Sequence, residues 1–121
     1  MGQCCWWTKA QEGHNEGFDD TDARGLALEK TTQQGLDQIA NLGIRCGATI
    51  DPKRRSNEYA REGYRGTMYC AETKNMRTAE DRLLHNFNFE YNKHKNSNVA
   101  EDKGFVYIIT GKKLKEQTLH D

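Results

Sequence analysis

Residues 64–86, YRGTMYCAETKNMRTAEDRLLHN, constrain the fold more than any other part of the chain. Thr67, Met68, Tyr69, Cys70 and Ala71 form a short apolar and aromatic stretch that reads as a strand, and residues 72–75 supply turn chemistry. Met76, Ala79, Leu83, Leu84 and Phe87 then recur at the spacing of one face of a 3.6-residue helix. Asn75 is placed to cap that helix, and so is Thr78, with Asp81 three residues on in a capping-box arrangement. Arg77, Glu80, Asp81, Arg82 and His85 are left for the solvent face, with Arg77 and Asp81 spaced to pair across one turn.

Weaker patterns flank this unit. Residues 22–41 read as a helix: Asp19, Asp20, Thr21 and Asp22 offer caps, Leu28, Leu36, Ile39 and Leu42 form a stripe, and Gly43 is placed to end it. Gly25 and Gly35 each cost such a helix roughly 1 kcal/mol relative to Ala, so packing would have to hold it. Ile44, Cys46, Ala48 and Ile50 alternate with Arg45, Gly47 and Thr49, which is the period of a half-buried strand with Cys46 facing the core, and Asp51 with Pro52 closes it. Phe87, Phe89 and Tyr91 alternate as in a strand, while Leu84, Phe87 and Tyr91 equally extend the helical stripe. Residues 92–103 read as a loop, and FVYIIT after Gly104 as a strand buried on both faces and central in its sheet.

With 121 residues the chain suits one domain. Its apolar fraction of 35%, charged fraction of 30% and mean hydropathy of −1.01 are low for a core that runs throughout, so part of it should lie outside the packed region. Residues 1–22 fit a flexible acidic tail, with Glu12, Glu16, Asp19, Asp20 and Asp22 against Lys9, residues 23–111 a single domain, and residues 112–121 a polar C-terminal tail. The 18 basic residues balance the 18 acidic ones, which leaves only local fields to attract a polyanion. No stretch approaches the roughly 20 apolar residues of a membrane span and no export signal is visible, which points to the cytoplasm and to reduced cysteines. There is no CxxC, no GxxxxGK and no GxGxxG, so neither a metal site nor a cofactor is assigned.

Two local features bear on function. MGQCCWW resembles the N-termini of dually acylated eukaryotic proteins, with Gly2 as a myristoyl acceptor and Cys4 or Cys5 as palmitoyl acceptors, which implies membrane association. Trp6 and Trp7 equally serve docking on the domain or on a partner surface. Residues 53–65 are the one local basic patch: Arg54, Arg55, Arg61 and Arg65 with Lys53, interleaved with Tyr59 and Tyr64, suit phosphate contacts and base stacking, or an ordinary exposed loop or short helix.

Residues 64–86 also resemble the second motif and following helix of the GIY-YIG nuclease domain, through Tyr69, Cys70, Ala71, Thr73, Asn75, Met76, Arg82, His85 and Asn86. The resemblance implies phosphodiester cleavage with Tyr69, Arg82, His85 and Glu116 as catalytic candidates and a divalent cation as cofactor.

The element order predicts an α+β domain, a small, mostly antiparallel sheet of about three strands against two helices, in which residues 44–50 and 67–71 pair antiparallel. Two functions fit: a small noncatalytic interaction module whose partner is a protein or a membrane surface, and a nucleic-acid-binding or phosphodiester-cleaving domain.

Overall fold

The computed structural model describes residues 25–93 and 95–114. In chain order they form β1 (Ala27–Thr31), α1 (Gln33–Ile39), a 3-10 turn (Ala40–Leu42), β2 (Gly43–Thr49), α2 (Pro52–Arg61), β3 (Tyr64–Thr73), α3 (Met76–Asn86) and β4 (Gly104–Lys113). This is a small α+β domain. Its one sheet has four strands in the order β1-β3-β4-β2, with β4 antiparallel to both neighbours and β1 parallel to β3.

The strand and helix within residues 64–86 form as the sequence predicts, and the strand is longer, spanning Tyr64–Thr73. Asn75 caps α3, its side chain accepting the Thr78 amide at 3.1 Å. Opposite each other on β3 and β4 stand Gly66 and Gly111, with φ of 140° and 117°. A Cβ on either would meet the backbone of the other strand, so the ladder closes here only because both are glycine.

The helix expected over residues 22–41 is corrected. ALEKT is the parallel edge strand β1, where Leu28 lies beside Met68, and a seven-residue α1 follows, capped by Thr32, whose hydroxyl accepts the Gly35 amide at 2.9 Å. Leu28 and Leu36 do enter the core, but one from a strand of the sheet and one from a helix, into the clusters on its opposite faces, and Leu42 is 70% exposed. Gly43 opens β2 and also ends the 3-10 turn that continues α1, its amide donating to the Ala40 carbonyl. Among the described residues the sheet accordingly has four strands, accompanied by three α-helices. Residues 44–50 do not pair with 67–71: β4 lies between them, and β2 takes Cys46 beside Ile108 and Gly47 beside Tyr107. The physical reason is the FVYIIT run, whose side chains are apolar on both faces and so favour an interior position. Residues 87–91 join neither a strand nor a helix, although Phe89 is buried.

Each side of the sheet has its own core. Leu26, Leu28, Tyr59, Tyr64, Met68, Cys70, Tyr107 and Ile109 lie together on the α2 side. Leu36, Ala40, Cys46, Ala71, Ala79, Leu83, Leu84, Phe89, Val106 and Ile108 fill the α1 and α3 side. Alternate residues of β4 thus serve alternate cores.

Candidate nucleic-acid interface

The basic stretch is helical because its first residues are suited to a helix start. Asp51 accepts the Arg54 amide at 3.2 Å through Oδ1 and Pro52 occupies the first turn, so the two residues expected to close β2 also open α2. Four cations and one carboxylate lie in PKRRSNEYAR. Pro52, Ser56 and Tyr59 form the buried face, which leaves Lys53, Arg54 and Arg61 in solvent. Together with Asp51 and Asn57 these three cations line a shallow hollow of about 250 Å³. Arg54 pairs with Glu58 at 3.3 Å, the i,i+4 spacing, and neither Lys53 nor Arg61 has an ion pair among the described residues.

Beneath α2 lies a set of phenols and guanidiniums. Tyr59 of α2 and Tyr107 of β4 place their hydroxyls 2.6 Å apart. Arg45 of β2 donates from Nε to Tyr59 Oη at 3.2 Å, and from Nη1 to Tyr64 Oη and to the Tyr91 carbonyl, each at 3.2 Å. Arg55 donates from Nε toward Tyr107 Oη at 3.4 Å and from Nη1 to Glu58 at 2.6 Å. Both guanidiniums also lie over the Tyr59 ring, with Cζ at 5.4 Å and 5.0 Å from its centroid. Gly47 makes room for this arrangement, because a Cβ there would stand 2.7 Å from Tyr107 Cζ. The Arg55 side chain is 39% exposed, so the cluster reaches solvent at a guanidinium.

The electrostatics follow from burial. Desolvation works against charge on Arg45 and Arg55, and the Tyr59, Tyr64 and Tyr107 oxygens more than offset it, so both guanidiniums titrate above their ordinary range. Burial, with Tyr59 beside it, pushes the Tyr107 hydroxyl well up. The hydrogen bond from Arg55 holds Glu58 below the usual carboxylate range. Of this cluster the Arg55 guanidinium reaches solvent, and it is the group an oxyanion can meet.

Of the residues chosen from sequence, Arg55, Tyr59 and Tyr64 meet in this cluster, and Arg54 and Arg61 line the hollow. Arg65 folds back onto the carbonyls of Ala60 and Tyr64 at 3.0 Å and 2.7 Å. Tyr59 and Tyr64 are buried, so their rings present no face to a base. Arg45 and Tyr107 went unrecognised, since an arginine at an alternating strand position and a tyrosine inside an apolar run carry no site signal of their own.

Tyr69, Arg82 and His85 lie with the other core. Tyr69 is half-buried against it, Arg82 forms a two-pronged pair with Asp37 at 2.8 Å and 3.3 Å, and His85 Nδ1 is 2.8 Å from the Asp81 carbonyl. No hydrogen bond or ion pair joins these three to one another among the described residues. Arg77 pairs with Glu101 at 3.1 Å instead of with Asp81, which accepts the Ser97 amide at 2.8 Å. Glu80, expected on the solvent face, is 8% exposed because residue 97 folds over it, Ser97 Oγ donating to Glu80 Oε1 at 3.0 Å. Gly2, Cys4, Cys5, Trp6, Trp7 and Glu116 lie outside the described residues. Cys46 and Cys70 are buried free thiols, and burial raises both above the ordinary thiol range.

The described residues contain no group of three or more His, Cys, Asp or Glu side chains able to hold a metal ion, so the divalent cation implied by the nuclease resemblance has no built site among them. No described helix is long and apolar enough to cross a membrane. No family model, curated protein or solved structure matches the chain.

Proposed function

We propose that the domain is a binding module for the phosphodiester backbone of nucleic acid, which it engages through α2. The observation that carries the reading is the set Lys53, Arg54 and Arg61 around one shallow hollow. In a chain with no net charge, this concentrates cations on one helix face. The buried tyrosines favour contact with phosphates over stacking on bases, and therefore little dependence on base sequence.

Titration of a labelled DNA duplex and of an RNA at two salt concentrations tests this. The affinity should fall with salt, and changing Lys53, Arg54 and Arg61 to Ala should reduce the salt slope by about one unit per cation lost. An unchanged slope in the triple variant, or binding to anionic vesicles but to neither nucleic acid, rejects the reading.

A second reading, cleavage of the bound phosphodiester, has its own observation. Tyr59 Oη is the oxygen on which the Arg45 donor and the Tyr107 hydroxyl converge, with both guanidiniums over its ring. The Arg55 guanidinium, which reaches solvent at the edge of this cluster, can offset charge gathering on phosphate. Nicking of plasmid DNA with and without added magnesium, compared across Tyr59→Phe, Arg55→Ala, Tyr69→Phe and Arg82→Ala, checks it. Loss confined to the first two variants places the chemistry beneath α2, loss confined to the last two places it on the α3 side, and no nicking by the unaltered protein ends the reading.

A further inference from the structure

Another concavity, of about 880 Å³, opens where β3 ends and β4 begins, at the end of the sheet away from Gly66 and Gly111. That volume falls in the roughly 300–1,000 Å³ range of small-molecule sites. Its walls differ in kind. Ile50, just past β2 and 73% exposed, supplies apolar surface together with Ala79 and Phe105. Gln33 from the start of α1 and Asn75 from the cap of α3 supply polar surface, and each keeps one group to spare. Gln33 Nε2 donates to the Glu72 carbonyl at 3.3 Å, which leaves Oε1 as an acceptor, and Asn75 Oδ1 accepts the Thr78 amide, which leaves Nδ2 as a donor. Of the charged groups in the lining, Arg82 is held by Asp37 and Glu72 lies 3.9 Å from Lys30. The ammoniums of Lys74 and Lys103 have neither a hydrogen bond nor an ion pair among the described residues.

We infer that this cavity binds a nucleoside monophosphate, its base against Ile50 and Phe105 and its phosphate with Lys74 and Lys103. A phosphomonoester carries about −1.5 to −2 charge at neutral pH, which matches two uncompensated lysines. A base brings a flat face for the apolar wall and an edge with both donors and acceptors for Asn75 Nδ2 and Gln33 Oε1. A fatty carboxylate brings one charge for two cations and leaves both amides unmatched, and inorganic phosphate leaves the apolar wall uncovered. The same chemistry has two sources, a free nucleotide and the phosphorylated end of a strand. Ile50 of this cavity and Asp51 of the α2 hollow are consecutive residues, so the two concavities adjoin. The strand-end source rests on the reading of α2 as a nucleic-acid face, and the free-nucleotide source does not.

The test follows the amide resonances of the full chain during titration with adenosine monophosphate, and in parallel with adenosine, inorganic phosphate and octanoate. Saturable shifts are expected at Ile50, Lys74, Thr78, Lys103 and Phe105 with adenosine monophosphate, and affinities at least about tenfold lower for the other three. Lys74→Ala with Lys103→Ala, both exposed positions whose change leaves the core intact, should weaken the nucleotide about tenfold. A single-stranded oligodeoxynucleotide with a phosphorylated end, compared with the same strand bearing only hydroxyl ends, separates the sources. Tighter binding of the phosphorylated strand, lost in the double lysine variant, identifies the strand end, and equal binding of the two strands beside retained nucleotide binding identifies the free nucleotide. Nucleotide binding by a protein with no affinity for duplex DNA leaves the cavity assignment standing while the α2 reading falls. Absence of cavity shifts with both the nucleotide and the phosphorylated strand, equal affinity for adenosine or octanoate, or an unchanged affinity in the lysine variant overturns the inference.

Discussion

The hydroxyls of Tyr59 and Tyr107 lie 2.6 Å apart although 48 residues separate them in the chain. One comes from a helix and one from an interior strand, and two further elements complete the setting: Arg45 and Gly47 from β2, Tyr64 from β3. Register explains the meeting. Gly47 stands beside Tyr107 and Arg45 beside Ile109, so both β2 residues look to the α2 side, where Tyr59 descends from the helix. The three phenol rings meet edge to face, with Tyr59 5.0 Å from Tyr64 and 5.8 Å from Tyr107.

Removing one hydroxyl should cost stability without dismantling the cluster. Tyr107→Phe keeps the ring in the core and leaves Tyr59 Oη its bond from Arg45, so a loss of about 1–2 kcal/mol is expected in urea unfolding. Gly47→Ala presses a methyl into the Tyr107 ring and should cost about 1–3 kcal/mol, with changed near-ultraviolet circular dichroism as the phenols shift. A Gly47→Ala protein as stable as the parent would show that Tyr107 does not lean over that position.

The legible parts of this fold are those in which one element carries its whole signal. The FVYIIT run predicts an interior strand from its composition, and Asn75 with the Met76, Ala79, Leu83 and Leu84 stripe predicts a capped helix from spacing. The segment before β2 reads as a helix because Leu28, Leu36 and Ile39 mimic a helical stripe, while the five residues of β1 are held by their parallel pairing to β3, a partner far along the chain. The candidate site divides in the same way. Arg55, Tyr59 and Tyr64 sit in one basic and aromatic stretch and could be read locally. Arg45 and Tyr107 join them only through the pairing of β2 with β4, which no local pattern announces.

Gly66 and Gly111 give a sharper test of backbone geometry. Each has φ in the region that L side chains avoid, and an added Cβ on either would strike the facing strand. Gly66→Ala or Gly111→Ala should therefore destabilise by more than the roughly 1 kcal/mol by which a strain-free Gly→Ala change stabilises, in the opposite direction. Thermal unfolding of both variants measures it, and a raised midpoint in either would contradict the geometry.

Glu80 predicts a pH dependence. Burial raises its carboxyl above the ordinary carboxylate range, although the Ser97 hydroxyl favours the charged form, with Asp81 opposing ionisation and Arg45 and Arg55 favouring it. The folded protein then holds a proton that the unfolded chain has released, so its stability falls as pH rises from the ordinary carboxylate value through the raised one. Glu80→Gln keeps an oxygen for Ser97 and removes the titration. Its unfolding free energy should be flatter than the parent's across that window and should exceed it at neutral pH. Parallel curves would mean that Glu80 titrates as an ordinary surface carboxyl.

Asn92 closes half of a sheet edge with a side chain. Its Oδ1 accepts the Cys46 amide at 2.9 Å and its Nδ2 donates to the Cys46 carbonyl at 3.2 Å, as a neighbouring strand would. The Tyr91 amide extends the seal by donating to the Ile44 carbonyl at 3.0 Å. Cys46 is buried, so losing these partners strands a donor and an acceptor away from water. Asn92→Ala should cost about 1–3 kcal/mol and speed hydrogen exchange at the Cys46 amide. Asn92→Asp should cost at least as much at neutral pH, because a carboxylate still accepts the amide but sets its second oxygen against the Cys46 carbonyl. The β4 ladder on the other side of β2 is untouched by either change, so the Gly47 amide serves as the internal reference. Equal acceleration at Cys46 and Gly47 would indicate loosening of the whole strand, whereas a change confined to Cys46 identifies Asn92 as the group that closes this edge.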